Sequence, residues 1–85
     1  MPIISRFLKI VVTINYREHQ PPHFHARYGG QEIQVAIADG RVKGDIPPRA
    51  KALVLEWWSI HRSELEANWA LLASGKEPLQ IAPLE

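Results

Sequence analysis

Gly29-Gly30 lies between two runs of alternating apolar and polar residues, His23 to Tyr28 and Gln31 to Ala38, and no other feature constrains the fold as strongly. Glycines supply the positive φ angles that a tight two-residue hairpin turn requires. Such a turn dictates the register. Tyr28 faces Gln31, and outward from the turn Arg27 faces Glu32, Ala26 faces Ile33, His25 faces Gln34, Phe24 faces Val35 and His23 faces Ala36. One side, with Phe24, Ala26, Ile33 and Val35, is apolar and must be core. The other carries His23, His25 and Arg27 and is expected to face solvent.

Asp39-Gly40 reads as a second two-residue turn, leading into a short strand from Arg41 to Asp45 before Pro47-Pro48 stops strand pairing. That turn predicts Lys43 beside Ala36 and Arg41 beside Ala38, so both basic residues join the histidine face. Upstream, Leu8 to Tyr16 alternates Ile10, Val12, Ile14 and Tyr16 against Lys9, Thr13 and Asn15, which predicts one half-buried strand. Asn15 to Pro22 is polar and proline-containing, and is expected to be a loop.

The remainder is dominated by a helix from Pro48 to Ser74, with Gly75 just beyond its C-cap and Pro78 barring continuation. At helical period Val54, Trp58, Leu65, Trp69 and Leu72 form one stripe, widened by Leu53, Trp57 and Leu71. This phase predicts Trp58 and Trp69 as buried packing residues, with Trp57 nearer an edge as an interface anchor. The apolar, proline-broken tail from Leu79 to Leu84 should run along the core or pair at a sheet edge. The expected architecture is therefore α+β, one domain over residues 1–85. A three- or four-stranded antiparallel sheet occupies 1–46, one long C-terminal helix packs on it over 47–75, and an extended tail follows over 76–85.

Composition removes some functions and leaves others. With 85 residues the chain has room for one core only, and its lack of cysteine excludes disulfides and thiolate zinc sites. Net charge is +1, too mild for the total to imply a nucleic-acid partner; only a local concentration of Lys and Arg can argue one. The first residues lack a basic leader and no apolar run approaches the ~18 residues of a membrane span, so a soluble, cytoplasmic protein without a membrane partner is expected. Oligomeric state does not follow from the sequence.

Three of the four histidines, His19, His23 and His25, fall within the segment 19–25, around Pro21-Pro22. Imidazole is the side chain whose unperturbed pKa lies near working pH, which makes the cluster the candidate site. Three chemistries fit it. His23 and His25 can act as an acid and base pair on a phosphodiester, with Arg27 stabilising developing charge, His19, Arg41 and Lys43 binding the phosphate backbone of RNA, and no cofactor needed. The same basic face can instead dock on RNA or an acidic protein without chemistry. Alternatively His19, His23 and His25 can hold zinc or another divalent transition metal, with Glu32 or Asp45 supplying a carboxylate, although the spacing matches no standard zinc pattern. His61 and Asn68 fall within the apolar stripe of the helix. They are either a satisfied polar pair in the core or groups that reach the proline loop and orient its histidines from behind.

Ile3-Ile4-Ser5-Arg6-Phe7, His19-x-Pro21-Pro22-His23-Phe24-His25-Ala26, Leu55-Glu56-Trp57, His61-Arg62-x-Glu64-Leu65-x-x-Asn68-Trp69 and Ile81-x-Pro83-Leu84-Glu85 together resemble the small bacterial domain-of-unknown-function family numbered 4160. The resemblance spans nearly the whole chain, and the Pro-Pro-His-Phe-His-Ala core carries most of its specificity. It implies a stand-alone prokaryotic protein encoded beside a small partner protein, in a pair like a toxin and antitoxin cassette. It brings no established catalytic residues.

Overall fold

The structure is a computed structural model, and it describes residues 2–16 and 20–84. Five strands precede one helix: β1 (Ile3–Phe7), β2 (Ile10–Thr13), β3 (His23–Tyr28), β4 (Gln31–Ala36), β5 (Val42–Gly44) and α1 (Pro48–Ala73). The strands form a single antiparallel sheet in sequence order, β1-β2-β3-β4-β5. The architecture is α+β, with a C-terminal helix on a five-stranded sheet, one strand more than the upper expectation.

The extra strand comes from Leu8 and Lys9. They stand at the start of the expected strand but form a turn instead, adopting φ of 48° and 68°, so Phe7 pairs directly with Ile10 across them and Ile3–Phe7, unassigned from sequence, becomes a strand. Positive φ at both centres is the geometry of the right-twisting hairpin turn, here made without glycine and therefore strained. Neither residue type carries a turn signal, so sequence alternation could not reveal it.

The β3–β4 hairpin has the register expected from Gly29-Gly30, with His23 opposite Ala36, His25 opposite Gln34 and Arg27 opposite Glu32. The β4–β5 connection differs. Gly40 N–H donates to Ala36 O at 2.9 Å, Ala36 N–H to Arg41 O at 2.9 Å, and Arg41 N–H to Asp39 Oδ1 at 3.0 Å. These bonds close a longer loop than a two-residue turn at Asp39-Gly40. Lys43 consequently lies opposite Gln34 rather than Ala36, and Val42 opposite Val35. A displacement of two residues preserves the facing, so Lys43 stays on the His25 side. Gly44, at φ +92°, closes the strand where an added Cβ would lie 2.7 Å from the backbone oxygen of Glu32.

The core lies between the helix and one face of the sheet, built from Ile10, Val12, Phe24, Ala26, Ile33 and Val35 below and Val54, Trp57, Leu65 and Leu72 above. The helix phase differs from expectation: Trp57 is fully buried, while Trp58 and Trp69 are only partly so. The buried line runs Ala50, Val54, Trp57, Leu65, Asn68, Leu72. His61 and Asn68 lie along its middle, so weighting by hydrophobicity alone drags the apparent centre toward the flanking tryptophans. His61 also departs from helical geometry (φ −111°, ψ 21°), which kinks the helix there.

The tail docks along β1: Ile81 N–H donates to Ile4 O at 2.8 Å and the Gln80 side chain to Ile3 O at 2.8 Å. Trp57 Nε1–H donates to Ala82 O at 2.9 Å, and Asn68 grips Leu79 through both its amide and its carbonyl, each at 2.8 Å. No helix among the described residues is long and apolar enough to cross a membrane.

Candidate functional site on the open face of the sheet

The helix leaves the second face of the sheet uncovered. Directly opposed residues in antiparallel strands share a face, so pairing assembles two rows there: Ile3, Thr13, His25, Gln34 and Lys43, and beside it Arg6, Val11, Arg27 and Glu32. His23 and Ala36 begin a third row beside Arg41. Alternation of the strands thus gathers three arginines, a lysine and two histidines on one surface.

His25 is held at both ring nitrogens. Its Nδ1–H donates to Glu32 Oε2 at 3.1 Å, which leaves Nε2 to accept the Asn15 amide at 3.4 Å. The other Glu32 oxygen receives Arg27 Nη2 at 3.2 Å, so one carboxylate bridges the histidine and the arginine. A carboxylate on Nδ1 fixes the tautomer and directs Nε2 as a proton acceptor, the arrangement that orients a general base. The long contact from Asn15 marks where a donor on a ligand would lie. The pairing of Glu32 with Arg27 was legible from the hairpin register; that Glu32 also reaches His25, and that Asn15 closes its other side, was not.

His23 does not face solvent. It is 1 % exposed, its Nδ1–H donates to Pro21 O at 2.8 Å, and its ring lies 5.2 Å from that of His25 and 5.4 Å from that of Trp69. Alternation places it on the open face, but the proline segment and Trp69 cover the start of β3. We therefore expect His23→Ala to lower stability by about 1 to 3 kcal/mol. His25 is half-buried and bonded at both ring nitrogens, so His25→Ala should cost about 1 kcal/mol or less. Thermal melts of the two variants check this, and equal melting temperatures would contradict the burial of His23.

Arg41 pairs with Asp39 at 3.3 Å, whereas Lys43 and Arg6 have no carboxylate partner among the described residues. His23, Gln34, Arg41 and Lys43 line a depression of about 300 Å³. On the helix, His61 Nδ1 meets Glu64 Oε1 at 2.6 Å and its ring lies 5.4 Å from that of Trp57. Asn68 is engaged with Leu79, so its carbonyl and amide hold the tail rather than the histidine loop. His19 lies outside the described residues, and with it the complete set of histidines considered for a metal; among the described residues no three His, Asp or Glu side chains converge as a ligand set.

In comparison with known proteins, a family model described as a domain of unknown function, DUF4160, matches residues 10–70. No curated protein and no solved structure matches the chain.

Proposed function

This chain belongs to the domain-of-unknown-function family DUF4160, and from the site itself we propose that it binds single-stranded RNA across the open face of the sheet; its place as one member of a paired-gene system rests on the family resemblance alone. The observation that carries the reading is the sheet face away from the helix, where Arg6, Arg27, Arg41 and Lys43 share a surface with a half-buried histidine oriented by a carboxylate. Backbone phosphates supply the charge these side chains would neutralise. The pairs Arg27–Glu32 and Arg41–Asp39 are exposed and each is worth at most about 1 kcal/mol, so an RNA phosphate can replace either carboxylate at little cost.

His25 is the group with the geometry for chemistry on such a ligand. A ribose 2′-hydroxyl taking the place of the Asn15 amide would give its proton to Nε2, with Glu32 stabilising the imidazolium. The 2′-oxygen then bonds to phosphorus, the bond from phosphorus to the 5′-oxygen breaks, that oxygen takes a proton from water, and the imidazolium gives its proton to the hydroxide so formed. Arg27 lies beside the same carboxylate, placed to offset charge on the phosphate. His23 is assigned to positioning His25 through ring contact rather than to donating a proton.

Fluorescence anisotropy with a labelled single-stranded RNA, titrated between about 50 and 200 mM salt, tests the reading. Arg6→Gln with Lys43→Gln should weaken binding about equally for all sequences and make the slope of log affinity against log salt shallower by about 1.4. Incubation with EDTA tests the chemistry, where His25→Ala should abolish cleavage while leaving affinity within a few fold. An unchanged affinity and slope in the double variant would remove RNA from the reading, and docking on an acidic partner protein would replace it.

A further inference from the structure

Beside the basic depression lies a second, smaller notch that the phosphate reading does not use. It measures about 190 Å³ and is lined by Pro22, Ile37, Ala38, Glu66 and Trp69. The two hollows share Ala38, and consecutive prolines, Pro21 and Pro22, line one each, so they form neighbouring compartments of one groove. One compartment is cationic, through Arg41 and Lys43; the other is apolar, with an indole wall and a single carboxylate. Phosphate next to a flat aromatic ring with hydrogen-bonding edges is the chemical pattern of a nucleotide.

Resting on the RNA reading above, we propose that this notch is a guanine-binding subsite, with the base stacked on Trp69 and the adjoining phosphate on Arg41 and Lys43. Trp69 is preorganised for that role because its ring is already packed, 5.4 Å between centroids, on the buried ring of His23. A fixed indole loses little freedom when a base stacks on it, and such stacking is sequence-tolerant. Pro22 and Ile37 supply the apolar surround. Selectivity comes from Glu66, the notch's one charged group. A carboxylate accepts two adjacent N–H donors at once, and among the RNA bases guanine alone presents such a pair, N1–H and N2–H, along its pairing edge. Adenine and cytosine place an acceptor beside their amino group, and uracil offers one N–H between two carbonyls, so each sets a lone pair against the carboxylate. The phosphate on Arg41 displaces Asp39, which pairs with that side chain at 3.3 Å in the unbound protein.

The test is a competition between short single-stranded RNAs in the full chain: hexauridylate, and the same oligomer carrying one guanosine, one inosine or one adenosine. Guanosine should bind about tenfold tighter than adenosine or uridine, with inosine, which lacks the N2 amino group, between them. Glu66→Gln should abolish the guanosine preference and shift it toward adenosine, whose amino group and ring nitrogen match the carbonyl and N–H of an amide; Glu66 is exposed, so its replacement leaves the fold intact. Trp69→Phe should retain part of the guanosine preference, and circular dichroism on both variants separates lost binding from lost folding. Equal affinity for all four oligomers in the parent protein, or a guanosine preference that survives Glu66→Gln, would overturn the subsite while leaving RNA binding by the open face standing. An absence of binding to every oligomer would overturn both.

Discussion

Trp57→Ala should unfold the domain or bring it to the edge of unfolding. The indole is fully buried, packs 5.6 Å from Phe7 and 5.7 Å from Phe24 between ring centroids, and donates Nε1–H to Ala82 O. Truncating a buried tryptophan costs about 3 to 5 kcal/mol. A domain of this size holds a total on the order of 5 to 10 kcal/mol. Trp58→Ala is the matched comparison: Trp58 keeps one exposed side, bonds Ile37 O at 2.9 Å and rests against Gly40. Its loss should come to about 1 to 2 kcal/mol. Urea midpoints of the two variants decide the matter, and a Trp58 variant less stable than the Trp57 variant would mean that the helix is rotated from the position described.

The second large effect is expected at Asn68. Its amide and carbonyl satisfy the carbonyl and N–H of Leu79, and the residue is 1 % exposed. Asn68→Ala removes both bonds at once; Leu79 is exposed, so its freed groups reach water, and two bonds of about 0.5 to 1.5 kcal/mol each give an expected loss of about 1 to 3 kcal/mol. The loss should be local in its first step. Amide exchange at Leu79 and Ile81 should accelerate more than at Phe24 or Val35, because the tail can leave the sheet before the core opens. Uniform acceleration across the chain would show that tail and core unfold as one unit.

These two positions mark where sequence reasoning stops. Asn68 and His61 are polar residues on the buried line of the helix, and only the tail that Asn68 binds makes the burial of an amide there intelligible. Trp57 is placed too near the edge for the same reason, since a stripe traced through apolar residues alone shifts toward Trp58 and Trp69. By contrast Gly29-Gly30, the facing of Phe24 with Val35, and the helix limits near Pro48 and Gly75 were all legible, because each rests on local backbone chemistry. The site divides along the same line. Arg27 and Glu32 are joined by hairpin register and could be read as neighbours, whereas the second bond, from Glu32 to His25, could not. His23 is buried by Trp69 and the proline segment, a contact between distant parts of the chain that no local pattern announces.

The docked tail has a bearing on how copies of this chain can meet. A sheet with two bare edges can add further sheets at either end and grow without limit, which is how strand pairing leads to fibres. Among the described residues the tail takes up carbonyls of Ile3 and Ile4 along β1, and β5, three residues long and closed by Gly44, forms the far edge. Edge pairing between two copies through β5 would join like to like about a twofold axis and use up that edge of both. Strand addition at the start of β1 therefore requires the tail to leave first, and Asn68, by holding the tail in place, is the residue that guards that end of the edge.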